Sequence, residues 1–133
     1  MTVGFVDIDV IHVMCVIILL LYVSLFFLSS PDPVQDKSVC MGELSKADCV
    51  PGFSIITSSA LYGRMALGRC LSAEFGFLGC TNDVLFLADR WCSGRRSCQF
   101  FIPNKDLDQA NGRCSPDLRA YMQMSYYCVP GEL

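Results

Sequence analysis

A chain of 133 residues carrying a formal charge of −3 has room for one small domain. Beyond residue 30, ten Lys or Arg stand against eleven Asp or Glu, and this near balance excludes nucleic acid as a partner. Nine cysteines and a single histidine, His12, exclude most zinc arrangements, because no Cys-x-x-Cys pair occurs and the histidine lies outside the cysteine-rich part.

In chain order, residues 10–28 read VIHVMCVIILLLYVSLFFL, with no charged side chain. At about 1.5 Å per helical residue, the run nearly spans a hydrocarbon layer of ~30 Å. Residues 1–30 therefore read as a secretory signal or as a single-pass anchor. The flanks leave both open: Asp7 and Asp9 precede the run with no basic residue, and only Ser29 or Ser30 before Pro31 offers a cleavage site. Residues 31–38 are polar and hold two prolines, Pro31 and Pro33, the pattern of an extended linker. The folded part is about 90 to 95 residues.

Cys15 sits within the apolar run, which leaves eight cysteines between Cys40 and Cys128. Such density in a short chain is that of a disulfide framework formed in an oxidising space, so the domain is expected outside the cell, secreted or at its surface.

Within the domain, FSIIT at 53–57 is β-branched and aromatic and continues into ALYGR as a strand. Gly63 is expected to mark a bulge or a close backbone approach. Val84, Leu87, Ala88 and Trp91 recur at helical spacing. They predict a helix over 82–91, capped by Thr81 or Asn82, with Asp83 and Arg90 suiting the helix dipole. Arg95 and Arg96 lie at the tip of the CSGRRSC loop, where they keep it soluble or meet a sulfated glycan or acidic partner. CQFFI before Pro103 reads as a strand. NKDLDQANG, 104–112, begins like a calcium loop, but Gln109 stands where glycine is required, so it reads as a solvated loop. AYMQMSYYC, 120–128, closes the domain as a strand with Tyr121, Gln123, Ser125 and Tyr127 on one face. No nucleophile and base are paired by spacing. The expectation is that the protein is not an enzyme, with no cofactor and no metal.

The order of Cys40, Cys49, the Tyr62-Gly63-Arg64 triplet, Cys70, Cys80, a helix, the Cys92–Cys98 loop, Cys114, Tyr121 and Cys128 resembles the sea-urchin-egg-lectin (SUEL) type domain. This galactose- and rhamnose-binding module also occurs in latrophilin-type receptors and eva-1-like membrane proteins. The resemblance covers residues 39–130. It implies a small disulfide-rich α+β lectin fold of antiparallel strands with one or two short helices, behind the hydrophobic N-terminal segment. It also implies the bridges Cys40–Cys70, Cys49–Cys128, Cys80–Cys114 and Cys92–Cys98.

The resemblance implies a sugar site built from an acid after the first cysteine, the Tyr-Gly-Arg triplet, Asp-Pro-Cys and Lys-Tyr-Leu. Here Tyr62, Gly63, Arg64 and Tyr121 match. Met41 replaces the acid, Gly112 the aspartate and Ala120 the lysine. Hydrogen bonds to charged groups contribute about 1.5 to 3 kcal/mol each, so losing two weakens a monosaccharide site roughly a hundredfold. Glu43 and Arg119 are the candidate substitutes. Two functions follow: a galactose- or rhamnose-type lectin module with a degenerate site, in which the triplet contacts sugar, or a module that binds an extracellular membrane-protein partner, in which the triplet is framework. The second requires an exposed apolar patch at Met41, Tyr121 and Met122.

Overall fold

The computed structural model describes residues 4–5, 7–28, 33–72 and 76–131. The chain divides into two units, Met1–Pro31 and Asp32–Leu133. Ser29, Ser30 and Pro31, where a cleavage site is expected, lie outside the described residues.

The first unit is a helix, α1 (Ile8–Leu28). Its 20-residue stretch Ile8–Phe27 has a mean hydropathy of 2.8 and is long and apolar enough to cross a membrane. The Ser24 hydroxyl donates to the Leu20 carbonyl at 2.8 Å, which satisfies it without an outside partner. Length and composition suit a span and a secretory signal alike.

The second unit is a small disulfide-rich α+β domain. Its elements are β1 (Gln35–Val39), β2 (Leu44–Asp48), β3 (Phe53–Arg64), β4 (Cys80–Asp83), α2 (Leu85–Cys92), β5 (Ser97–Phe101), α3 (Lys105–Ala110) and β6 (Tyr121–Pro130). Four strands form an antiparallel sheet in the order β1-β6-β3-β4, and β2 pairs with β5.

β3 shows how sequence becomes packing. Ile55 and Thr57 are buried at odd positions, whereas Ala60, Tyr62 and Arg64 are buried at even ones. The register against β6 shifts between Thr57 and Ser59. The bulge inserts one residue, so both halves of the strand face the core despite opposite parity. Met122, Met124 and Tyr126 of β6 pack on this face, with Val84, Leu87 and Ala88 from the α2 region and Leu107 from α3. The bridges are Cys40–Cys70, Cys49–Cys128, Cys80–Cys114 and Cys92–Cys98, the pairs that the resemblance implies.

Three expectations are corrected. The helix begins at Leu85, not 82, because residues 80–83 pair with β3 as β4. Val84 is its N-cap, and neither Thr81 nor Asn82 caps it; instead Asp83 Oδ1 accepts from the Leu85 N–H at 2.9 Å. Residues 104–112 are not a solvated loop throughout, since Asn104 accepts from the Leu107 N–H at 3.0 Å and caps α3, whose Leu107 is fully buried. Of the expected linker, residues 35–38 belong to β1, because β6 offers them a free edge.

Candidate functional site

Tyr62 stands between Met122 of β6 and Asn82 of β4 and is only 1% exposed. Burial, reinforced by the Asp108 carboxylate, pushes its hydroxyl pKa above the usual value of 10.0. Gly63 marks a close approach and not a bulge: a Cβ there would lie 2.4 Å from the Cys80 carbonyl oxygen and 3.1 Å from Cys114 Sγ. Arg64 is also buried. Its Nε donates to the Phe77 carbonyl at 3.2 Å, and its Nη1 donates to the Arg119 carbonyl. The triplet thus binds two loops to the sheet.

Tyr121 is buried on β6, and its hydroxyl accepts from the Ala66 N–H at 3.0 Å and donates to the Ala66 carbonyl at 3.3 Å. Glu43 meets Arg69 through two contacts, Oε1 to Nη1 at 2.5 Å and Oε2 to Nη2 at 3.1 Å. Its Oε2 also accepts from the Cys40 N–H at 2.9 Å. The Arg69 hydrogen bonds, with that of Cys40 second, hold the Glu43 carboxyl below its usual range and raise Arg69 in turn. Arg69 also donates to the Ser38 carbonyl, so the pair staples β1 beside the Cys40–Cys70 bridge.

The structure brings some candidates together and separates others. Arg64 and Arg119 share a cleft of about 330 Å³ with Leu71, Asp117 and Leu118. Tyr121 lines a separate cleft of about 130 Å³ with Ser38, Arg69 and Gln123. Neither cleft is lined by Tyr62 or Glu43.

The apolar patch expected at Met41, Tyr121 and Met122 is not formed. Met122 and Ala120 are core residues and Tyr121 is buried; Met41 alone is exposed. The alternation of β6 turns Met122 inward with Met124 and Tyr126, and Ala66 occupies the Tyr121 hydroxyl. An exposed apolar pair exists elsewhere: Leu44 and Phe101 are cross-strand partners on β2 and β5, exposed by 48% and 51%. The Met41–Gly42 turn joins this end through the Gly42 N–H, which donates to the Ile102 carbonyl at 2.7 Å.

Asn82, which the sequence offers only as a capping candidate, has another role. It is buried, and its Nδ2 donates to the Tyr62 carbonyl at 3.1 Å and to Asn111 Oδ1 at 3.0 Å. Its Oδ1 accepts from the Arg113 N–H at 3.1 Å. It fixes the chain after α3 against β4. The one sequence signal for this is its alternation with Cys80 at inward positions of a short strand.

These features define a class: a small disulfide-rich α+β domain preceded by an apolar helix. No protein-family model matches the chain. The chain is similar to protein eva-1 homolog C of Mus musculus, with 28% identity over 117 residues, covering 84% of this chain and 26% of that protein. The Homo sapiens and Pan troglodytes proteins of the same name are each 25% identical over 117 residues, with the same coverage. The chain spans about a quarter of the length of these curated relatives.

Proposed function

We propose that this protein is a non-enzymatic extracellular interaction module whose ligand is another membrane or surface protein, with α1 as its anchor or its export signal. One observation carries the reading: the groups with which the resemblance would grip a sugar are committed internally. Arg64 and the Tyr121 hydroxyl bond backbone groups, Glu43 bonds Arg69, and Tyr62 is buried. Turning these groups toward a sugar would break the bonds that tie the flanking loops to the sheet, at about 0.5–1.5 kcal/mol each. The exposed apolar surface that this reading requires is found at the cross-strand pair Leu44 and Phe101 in place of Met41, Tyr121 and Met122, and similarity to eva-1 homolog C supports an extracellular or membrane-associated interaction role.

A second reading, a galactose- or rhamnose-type site of altered geometry, rests on the cleft where Arg64, Asp117 and Arg119 meet. A glycan array probed with the full oxidised chain in nanodiscs separates the two. Tyr62→Ala is unsuitable as a control because it empties a core position, so Asp117→Ala and Arg119→Ala are used. Silence of the array, together with a saturable surface-protein partner found by cross-linking on intact cells, is the expected outcome. Saturable galactoside or rhamnoside binding that free sugar displaces and either control abolishes would overturn the protein-ligand reading.

A further inference from the structure

β5 is an edge strand whose outer side is open from Ser97 to Phe101; just before it, the Arg95 carbonyl accepts from the Ile55 N–H of β3 at 2.7 Å. Two bonds fix the parity of its backbone: the Ile102 N–H donates to the Glu43 carbonyl at 3.1 Å, and the Arg96 carbonyl accepts from the Cys49 N–H at 2.8 Å. Even-numbered residues therefore bond toward β2, and Ser97, Gln99 and Phe101 turn their backbone groups the other way. Asn104 Nδ2 donates to the Phe101 carbonyl at 2.9 Å. Among the described residues no other backbone hydrogen bond reaches the outward groups, and all three side chains are exposed.

Edge strands are commonly blunted by charge or proline. β1 carries Asp36 and Lys37 and follows Pro33, whereas SCQFF of β5 has neither charge nor proline. A groove of about 460 Å³ runs along this region, lined by Trp91, Arg95, Gln99, Phe101, Lys105 and Asp106, among others. Trp91 and Phe100 form its aromatic floor, with ring centroids 4.8 Å apart. Its one carboxylate, Asp106, is paired with Arg90 at 3.0 Å. Arg95 and Lys105 have no side-chain hydrogen bond or ion pair among the described residues, so the groove presents two cations.

We propose that the free edge of β5 takes an extended, acidic peptide segment of a partner protein by β-sheet addition. The main chain of the segment bonds Ser97, Gln99 and Phe101, its carboxylates meet Arg95 and Lys105, and its alternate side chains lie on Trp91 and Phe101. A second copy is the poorer occupant, because two-fold pairing of β5 would bring like charges from two grooves together. This proposal rests on the protein-ligand reading above.

Phage-displayed random 12-residue peptides, panned against the full oxidised chain in nanodiscs, provide the probe. Gln99→Pro removes one outward donor while sparing the bonds to β2. The double variant Arg95→Glu/Lys105→Glu reverses the charge without touching the backbone. The expected result is enrichment of acidic sequences that bind each variant about tenfold or more weakly and slow amide exchange at Ser97, Gln99 and Phe101. The double variant should select basic sequences instead. Absence of enrichment, enrichment without acidic bias, or unchanged binding to the double variant would overturn the proposal. So would self-association that Gln99→Pro abolishes, or binding of sulfated oligosaccharides with no peptide. If cross-linking on cells captures a protein partner that both variants still bind, the edge proposal fails and the protein-ligand reading stands. If only glycans bind, both fail.

Discussion

Gly63 has no room for a side chain, because the atom that a Cβ would meet at 2.4 Å is the backbone oxygen of Cys80, itself held by a disulfide. Gly63→Ala should lower stability by about 2–4 kcal/mol, read as a fall in Tm. Gly68→Ala, where nothing lies within 4 Å, is the control and should be close to neutral. The Glu43 carboxyl offers a test by pH. Its pairing with Arg69 holds it below the ordinary value of 4.5. The stability it contributes is therefore present above that value and lost as pH falls through the lowered one. A Tm difference between wild type and Glu43→Gln should be small near neutral pH, since the pair is exposed, and should vanish in acid once the pH lies below the lowered value. A difference that persists in acid would refute the linkage. The triplet's identity was legible in the sequence, but its burial was not. The bulge at Thr57/Ser59 reverses which residues of β3 face inward, and no local pattern announces that reversal.

The elements differ in how far sequence alone could locate them. The body of α2 was legible because Leu87, Ala88 and Trp91 keep its period, but its start was displaced by β4. Pairing to a distant strand outweighed a local preference for a cap. α3 was missed because its six residues carry one buried apolar side chain, Leu107, too few for a periodicity. β1 carries the sequence pattern of a linker because its burial is confined largely to Val39 and its partner lies more than eighty residues away in sequence. The bridges hold these pieces unequally. Cys49–Cys128 closes a separation of 79 residues and Cys92–Cys98 one of 6. In the chain-entropy account these correspond to about 4.5 and about 2 kcal/mol. Replacing the first pair with alanine should therefore lower Tm more than replacing the second. Equal losses would show that strain or residual structure in the unfolded chain, not loop closure, governs the effect.

At the scale of the whole molecule, all eight cysteines of the domain are bridged, and Cys15 of α1 is the free thiol among the described residues. Protein taken from cells, denatured without reduction and treated with a maleimide should gain one adduct when α1 is retained and none when it has been removed. A second adduct would contradict the complete pairing. The sugar-site substitutions were visible in the sequence, whereas the internal commitment of the surviving residues required the fold. The sheet order has a further consequence for how the protein is made. β6, the domain's last strand, lies between β1 and β3 and carries the partner of Cys49. During synthesis, β1 and β3 leave the ribosome first, and β3 has only β4 to pair with along its last residues until β6 arrives. A nascent chain stopped before Tyr121 lacks the middle of its sheet, so assembly of the domain itself tests whether translation ran past β6.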